Sequence, residues 1–404
     1  MEFYEILLPL ALVLFLSKTF SKVLVKFGMP QVVGMLLAGV VIGLINYIPG
    51  QTVLNDLVIE GIGFISKIGV ILIMFSAGLE TDIKQLKAVG LPAVIVTLFG
   101  VIFPIGLGFV VAVLFNGGFS DLNSENFLSC LFYGVILSAT SVSVSVATLK
   151  ELGVLNSKVG NIIISAAILD DIIGIIVLSF VISMKGSGAN AASPGIVLLK
   201  TFLFFIAAFI GGIFANKLFN IIERKFPHHR LLPIYSVALC FLFAYISEAF
   251  FGIADITGAF AVGLALSRNP ESDYIDRKSD VMSYMIFAPV FFANIGITAD
   301  FSGITLTVAA FGICFIIAGM AGKVLGCGLA AKMCGCSGVD SLRIGVGMMA
   351  RAEVCLVCAQ KGVENGLIDS SIMPFIVILI IATSFLTPII IKNTYRKKEL
   401  TAVS

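Results

Sequence analysis

Apolar runs long enough to cross a membrane follow one another along almost the whole chain. A membrane-spanning helix needs about 20 mostly apolar residues, and the breaks between these runs carry Gly, Pro, Asn or charged residues. Only 12% of the residues are charged, whereas a soluble domain carries about 25%. The chain has too few charged residues to form the water-exposed surface of a soluble protein of this size. We therefore predict an all-α polytopic membrane protein.

The runs predict about thirteen spans. The ninth is short, so we expect it to be tilted, re-entrant or extended towards residue 250. A cleaved signal peptide is a poor alternative for the first run, because Glu2 and Glu5 stand where such a peptide is basic. The predicted spans are 5–25, 30–45, 62–79, 88–115, 127–149, 160–184, 194–222, 231–250, 255–266, 281–299, 304–333, 342–363 and 372–391.

The positions of Lys and Arg predict how the spans are oriented. Most of the 26 basic residues fall in loops on one side when the N-terminus is placed outside, and such loops are retained in the cytoplasm. We therefore predict a multi-pass protein of the cell (inner) membrane with its N-terminus outside and its C-terminus in the cytoplasm. The net charge of +2 gives no reason to expect nucleic acid as a partner.

The two halves of the chain resemble each other in three places, in the same order. This predicts an inverted repeat in which spans one to six correspond to spans eight to thirteen, with span seven as a linker helix. Such repeats are typical of transporters, because exchanging the conformations of the two copies opens a central site to the other side. The matching segments are 34–39 with 258–263, 76–82 with 294–300, and 134–150 with 345–361.

Charged side chains lie near the middle of three of the predicted spans. Asp170 and Asp171 are adjacent at the centre of span six, and carboxylates there are costly enough to indicate a functional site. Neighbours on a helix point about 100° apart, so one can face a water-filled cavity while the other meets another helix. Lys323 in span eleven needs a buried partner, for which either aspartate is a candidate; snorkelling to the interface is the alternative.

Spans five and twelve carry polar residues that do not follow a helical pattern. We predict an interruption near Thr140 and Ser141, where carbonyls and half-helix ends could bind a cation. The corresponding stretch of span twelve contains Arg351 and Glu353. These charges could neutralise the ends of two broken, crossing helices, or they could pair with each other and fix the break.

Several motifs together resemble the second family of bacterial cation/proton antiporters, which includes NapA-type sodium/proton antiporters and Kef-type potassium/proton exchangers. The resemblance covers nearly the whole chain. Kef-type members typically replace the first Asp of the pair and add a soluble domain, whereas this chain keeps both Asp residues, which favours sodium. The motifs are MPQVVGMLLAGVVIG at 29–43, LIMFSAGLETD at 72–82, SATS at 138–141, LDDIIG at 169–174, TGAFAVGLALS at 257–267, FFANIGITAD at 291–300 and RAEV at 351–354.

The resemblance implies an NhaA/NapA-like fold of two bundles and a homodimer. Residues 1–86 and 231–302 would form the dimerisation bundle and 87–190 and 303–393 the ion-translocating core, with a linker helix at 191–230 and a cytoplasmic tail at 394–404. By resemblance, Asp171 is the ion- and proton-binding carboxylate and Asp170 the partner of Lys323. Na+ would be held by Asp171 together with Thr140 and Ser141.

These features predict a secondary active Na+/H+ antiporter in which cation and protons compete for Asp171 during elevator-type alternating access. Exchange would be electrogenic, because the Asp170–Lys323 pair could take up or release a second proton. No catalytic residue and no cofactor beyond the transported ions is expected. The alternatives are a Kef-type K+/H+ antiporter, a sodium-coupled organic-solute carrier and a channel. An intramembrane aspartyl protease is disfavoured, since its two Asp must come from different helices.

Overall fold

The computed structural model describes residues 3–27, 30–48, 50–81, 90–119, 123–141, 143–155, 157–185, 194–225, 231–298 and 305–402. Every regular element in these ranges is a helix. A π-helical turn is formed by Ser283–Phe287. The helices are α1 (Leu7–Val25), α2 (Gln31–Gly43), α3 (Asp56–Glu80), α4 (Leu91–Phe115), α5 (Ser124–Ser138), α6 (Ser143–Glu151), α7 (Lys158–Met184), α8 (Pro194–Lys225), α9 (Leu231–Phe251), α10 (Asp255–Leu266), α11 (Ser272–Met282), α12 (Ala288–Ile297), α13 (Leu306–Met333), α14 (Gly338–Gly347), α15 (Glu353–Glu364) and α16 (Met373–Ala402).

The described ranges contain nine helical stretches that are long and apolar enough to cross a membrane, and three shorter apolar helices. The predicted class, an all-helical polytopic membrane protein, is therefore confirmed. The second, fifth, ninth and twelfth predicted spans fall on helices that are short or interrupted, so the total of thirteen spans stays a prediction. The ninth is the 12-residue helix α10, as short as its sequence predicts.

Side-chain caps fix where some of these helices begin. Asn55 accepts a hydrogen bond from Val58 N at 2.8 Å ahead of α3, and Thr305 accepts one from Val308 N at 3.3 Å ahead of α13. Each cap of this kind stabilises a helix by about 1 kcal/mol. These two polar residues therefore define where α3 and α13 begin.

The chain divides into two compact units. The first contains Met1–Val23, Gly34–Lys84 and Ile182–Thr298, and thus most of α1 and α2, all of α3, and α8 to α12. The second contains Leu24–Val33, Gln85–Val181 and Ala299–Ser404, and thus α4, α5, α6, most of α7, and α13 to α16. The helix of the predicted linker, α8, belongs to the first unit.

Glycine contacts in the first unit follow the predicted repeat. A Cβ on Gly34 or Gly39 of α2 would collide with the backbone of α1 or α12, respectively. A Cβ on Gly258 or Gly263 of α10 would collide with the backbone of α9 or α3. The repeat pairs α1 with α9 and α3 with α12, so corresponding glycines meet corresponding helices. Small residues at such crossings let helix backbones approach closely.

The second unit contains the same kind of correspondence. Gly134 of α5 lies against the backbone of α4 at Ile105, and Gly345 of α14 lies against the backbone of α13 at Val324. The sequence aligns Gly134 with Gly345 and span four with span eleven. These paired contacts support an internal repeat within the unit that carries the buried charges.

Replacing Gly263 by Val is expected to destabilise the protein by about 1–3 kcal/mol, because the side chain would be forced against the backbone of α3. Gly63→Val is the matched control, since nothing lies within 4 Å of a Cβ at that position of α3; it should change stability by less than about 0.5 kcal/mol. Thermal unfolding of the purified variants measures both. Equal midpoints for the two variants would contradict the close α3–α10 crossing.

Candidate ion-binding site

The two adjacent aspartates of α7 lie in different surroundings. Asp170 is 2% exposed, whereas Asp171 is partly exposed. Neighbouring side chains on a helix point about 100° apart, so the two carboxylates face different surroundings although they are adjacent in the chain. Asp170 therefore lies inside the protein, and Asp171 is the more accessible of the two carboxylates.

Asp170 forms a buried ion pair with Lys323 of α13. The Lys323 ammonium is 0% exposed and donates hydrogen bonds to Oδ1 at 2.8 Å and to Oδ2 at 2.9 Å. The Lys323 ammonium thus provides a hydrogen-bond donor to each oxygen of the Asp170 carboxylate. The structure thus selects Asp170 from the two aspartates that the sequence offers to Lys323.

Helix α4 closes the other side of this pair. Gly100 faces it, and a Cβ there would lie 3.6 Å from Lys323 Nζ. Thr97 Oγ1 donates a hydrogen bond to Ala166 O at 3.0 Å, one turn before Asp170 on α7. Helix α4 therefore lies close to Lys323 at Gly100 and is joined to α7 at Thr97.

The predicted interruption in span five is present. Helix α5 ends at Ser138, residues 139–141 are not helical, and α6 begins at Ser143. Thr140 and Ser141 are buried in the gap. Ser141 N donates to Ala350 O at 2.9 Å, so the gap lies directly against the interruption in span twelve.

Arg351 lies in that second interruption, between α14 and α15, and is 0% exposed. Its Nη2 donates to Leu137 O and, at 3.2 Å, to Gly319 O, while Nη1 donates to Thr140 Oγ1 at 3.4 Å. Leu137 O is in the last turn of α5, where carbonyls lack helical partners. The guanidinium therefore satisfies a carbonyl at the negative end of the α5 dipole.

Glu353, the other charged residue predicted at this crossing, is the first residue of α15. An acidic residue at a helix N-terminus is favourable for the helix dipole. The side chain of Glu353 lies outside the described part of the structure, so its predicted pairing with Arg351 stays a prediction.

Two hydroxyl residues that the sequence analysis did not single out hold Arg351 in place. Arg351 N donates to Thr383 Oγ1 at 3.1 Å, and Ser384 Oγ donates to Arg351 O at 3.2 Å. Both lie on α16 and are fully buried. A Thr-Ser pair within an otherwise apolar span is the signal that could have identified them, since hydroxyls satisfy backbone groups freed by a helix break.

The described contacts place the predicted site residues in two groups. Asp170 contacts Lys323, and Thr140 contacts Arg351. Asp171 follows Asp170 on α7 and is partly exposed. Carboxylate and hydroxyl oxygens are the kind of ligand that hard cations prefer.

A helical membrane protein with a buried ion pair and two interrupted helices has the features of a secondary transporter. Residues 11–397 match the family model described as the transmembrane region of sodium/hydrogen exchangers. The chain belongs to the sodium/hydrogen exchanger family, which confirms the predicted resemblance to cation/proton antiporters.

Similar proteins cover the chain almost end to end. The Na+/H+ antiporter of Enterococcus hirae is 32% identical over 98% of this chain and 99% of its own length. The Na+/H+-K+ antiporter GerN of Bacillus cereus is 35% identical over 99% of this chain and 98% of its own. The sodium proton antiporter MjNhaP1 of Methanocaldococcus jannaschii, solved at pH 8, shares the fold. Its TM-score is 0.71 and its identity 19%, with 96% of each chain covered.

Proposed function

We propose that this protein is a secondary active Na+/H+ antiporter of the cell membrane. The observation that carries the proposal is the arrangement on α7, where Asp171 remains partly exposed while Asp170 is held by Lys323 at 2.8 Å. Asp171, the more accessible of the two carboxylates, is the one we assign to the transported ions. The names of the relatives from Enterococcus hirae and Bacillus cereus, both Na+/H+ antiporters, support the choice of ions.

In the proposed mechanism Asp171 binds either Na+ or a proton. The hydroxyls of Thr140 and Ser141 supply further oxygens to the cation, and Asp171 supplies the negative charge. Because the two ions exclude each other at one carboxylate, the site returns across the membrane loaded with one or the other. Exchange follows without a resident cofactor or any covalent step.

Alternating access is proposed to occur by an elevator-type movement of the core bundle that carries α7 and the two interrupted helices. The dimerisation bundle would remain fixed as part of a homodimer embedded in lipid. The repeated glycine contacts within each unit support the internal repeat, and such repeats are the basis of alternating access in transporters. The N-terminus is proposed to be outside and the C-terminus cytoplasmic.

Proteoliposomes that contain a pH-sensitive dye test the function. Addition of NaCl is expected to evoke proton movement, and KCl to evoke less. A larger response to KCl would support the Kef-type K+/H+ alternative, which the name of GerN favours. No proton movement with either salt would contradict antiport, and a sodium flux that required an organic solute would identify a sodium-coupled carrier.

We further propose that exchange is electrogenic, with more than one proton for each Na+, because the Asp170–Lys323 pair carries a second exchangeable proton. Replacing Lys323 by Met is then expected to make the transport rate independent of an imposed membrane potential. Lys332→Met, an exposed change on the same helix, should leave the voltage response intact. An unchanged voltage response in Lys323→Met would show that this pair does not carry the extra proton.

A further inference from the structure

A groove of about 260 Å³ runs between α8 and the short helix α10 of the first unit. Apart from Asn216 and Arg268, every residue that lines it is apolar. Two of the lining residues, Phe209 and Ile213, are 56% and 45% exposed. The groove is therefore an open, apolar channel along the surface of the helices, with polar side chains at only two positions.

Helices α8 and α10 run in the same direction along this groove. Ala208 and Ala261 belong to the same buried cluster. One turn further along both helices, a Cβ on Gly212 would collide with the side chain of Ala265. Asn216, a further turn along α8, donates from Nδ2 to Ala265 O at 2.8 Å. The contacts thus advance together along both helices, and the groove follows them towards the C-terminal end of α10.

Both polar residues of the groove lie at that end. The amide of Asn216 is held on two sides, because its Oδ1 also accepts a hydrogen bond from Asn269 Nδ2 at 3.0 Å. Arg268 is exposed, with its guanidinium carbon 6.0 Å from the centre of the Phe209 ring. Arg268 forms no ion pair with any residue that the structure describes. The groove therefore ends at a positive charge that has no acidic partner in the described part of the chain.

The length of the groove corresponds to one leaflet of a bilayer. Phe205 and Asn216 are the first and last lining residues of α8, and a helix rises about 16 Å between them. Half of a hydrocarbon core of about 30 Å is about 15 Å. The stretch Leu199–Phe219 is long and apolar enough to cross the membrane. Because Asn216 is near the end of this stretch, the apolar part of the groove lies at the depth of lipid tails and Arg268 at the level of the headgroups.

We propose that this groove binds one acyl chain of an anionic phospholipid whose phosphate pairs with Arg268. A guanidinium can donate two parallel hydrogen bonds to a phosphate, and the acyl chain would cover Phe209 and Ile213. Basic pockets between membrane helices on the cytoplasmic side are suited to anionic headgroups. In the orientation proposed above, Arg268 is on that side. A lipid here would bind α8 and α10 at the same time.

Fluorescence quenching by brominated lipid tests the site. The chain contains no Trp, so Phe209→Trp places a single fluorophore in the groove. Phe214→Trp is the matched control, because Phe214 is 70% exposed on the same helix and does not line the groove. Each full-length variant is reconstituted in vesicles of equal amounts of phosphatidylglycerol and phosphatidylcholine, with bromine on the acyl chains of one lipid or the other.

The Trp of Phe209→Trp is expected to show a preference of about fivefold for phosphatidylglycerol, the effect expected of one basic residue near the membrane surface. Phe214→Trp should be quenched equally by the two brominated lipids. Adding Arg268→Gln to Phe209→Trp should abolish the preference. Adding Lys217→Gln instead removes a charge from an exposed position outside the groove and should leave the preference unchanged.

Equal quenching of Phe209→Trp by the two brominated lipids would overturn the assignment to an anionic lipid. A preference that survives Arg268→Gln would show that Arg268 does not bind the phosphate, and a lack of quenching by either lipid would show that no acyl chain enters the groove. The measurement requires no ion transport. Failure of the proposed antiport and failure of this lipid site can therefore be told apart.

Discussion

Asp171→Asn is expected to reduce Na+-evoked proton movement in proteoliposomes to the level of empty liposomes. The amide keeps the size and polarity of the carboxylate but carries no negative charge and cannot take up a proton at neutral pH. If one carboxylate serves both ions, both halves of the exchange are lost together. The internal pH dye measures the response after addition of NaCl.

Asp56→Asn is the matched control for this variant, because it makes the same substitution at an exposed position in the first turn of α3. It should transport at close to the wild-type rate. Unfolding midpoints of both variants should remain near that of the wild type. Substantial Na+/H+ exchange by Asp171→Asn would show that another group binds the ions.

Asp170→Asn is expected to lower the free energy of unfolding by about 3–5 kcal/mol, because it leaves the buried Lys323 ammonium without its counter-charge. A thiol-reactive dye measures the change in unfolding midpoint. All eight cysteines are free, and five of them are buried. Buried thiols react when unfolding exposes them, so the protein carries its own probe.

The double variant Asp170→Asn, Lys323→Met should recover most of the lost stability, since removing both members of a buried pair is often close to neutral. The cycle of single and double variants then measures the coupling between the two residues. If the two single effects simply added in the double variant, the 2.8 Å contact would carry no coupling energy. The double variant should also lack voltage-dependent transport.

The sequence was informative where the membrane makes a residue costly. Asp170, Asp171, Lys323 and Arg351 stand out because charges are rare within spans, and the polar run at Thr140 indicated a helix break. Each of these signals is local, since it depends only on the residue and the apolar run around it. Local signals of this kind were enough to predict which residues form the site and where a helix is interrupted.

Long-range packing was harder to predict. The choice of Asp170 as the partner of Lys323 depends on the rotation of α7 against α4 and α13, which the residues alone left open. Thr383 and Ser384 bind the Arg351 backbone from α16, far along the chain.

Arg343 is a second example. It lies near the start of the twelfth predicted span, where a basic side chain could be exposed, yet it is buried against Tyr395 with its guanidinium carbon 3.6 Å from the ring centre. Amphipathic side chains near helix ends can be exposed or buried, and their own sequence position does not decide which.

The apparent KM for Na+, measured in wild-type proteoliposomes over a range of pH, tests competition at Asp171 most directly. If cation and proton exclude each other at one carboxylate, the apparent KM rises as the pH falls, by at most about tenfold per unit for a single displaced proton. The maximal rate at saturating Na+ then stays unchanged. A maximal rate that falls with pH at constant KM would mean that the proton binds elsewhere, and the account of a shared site would be wrong.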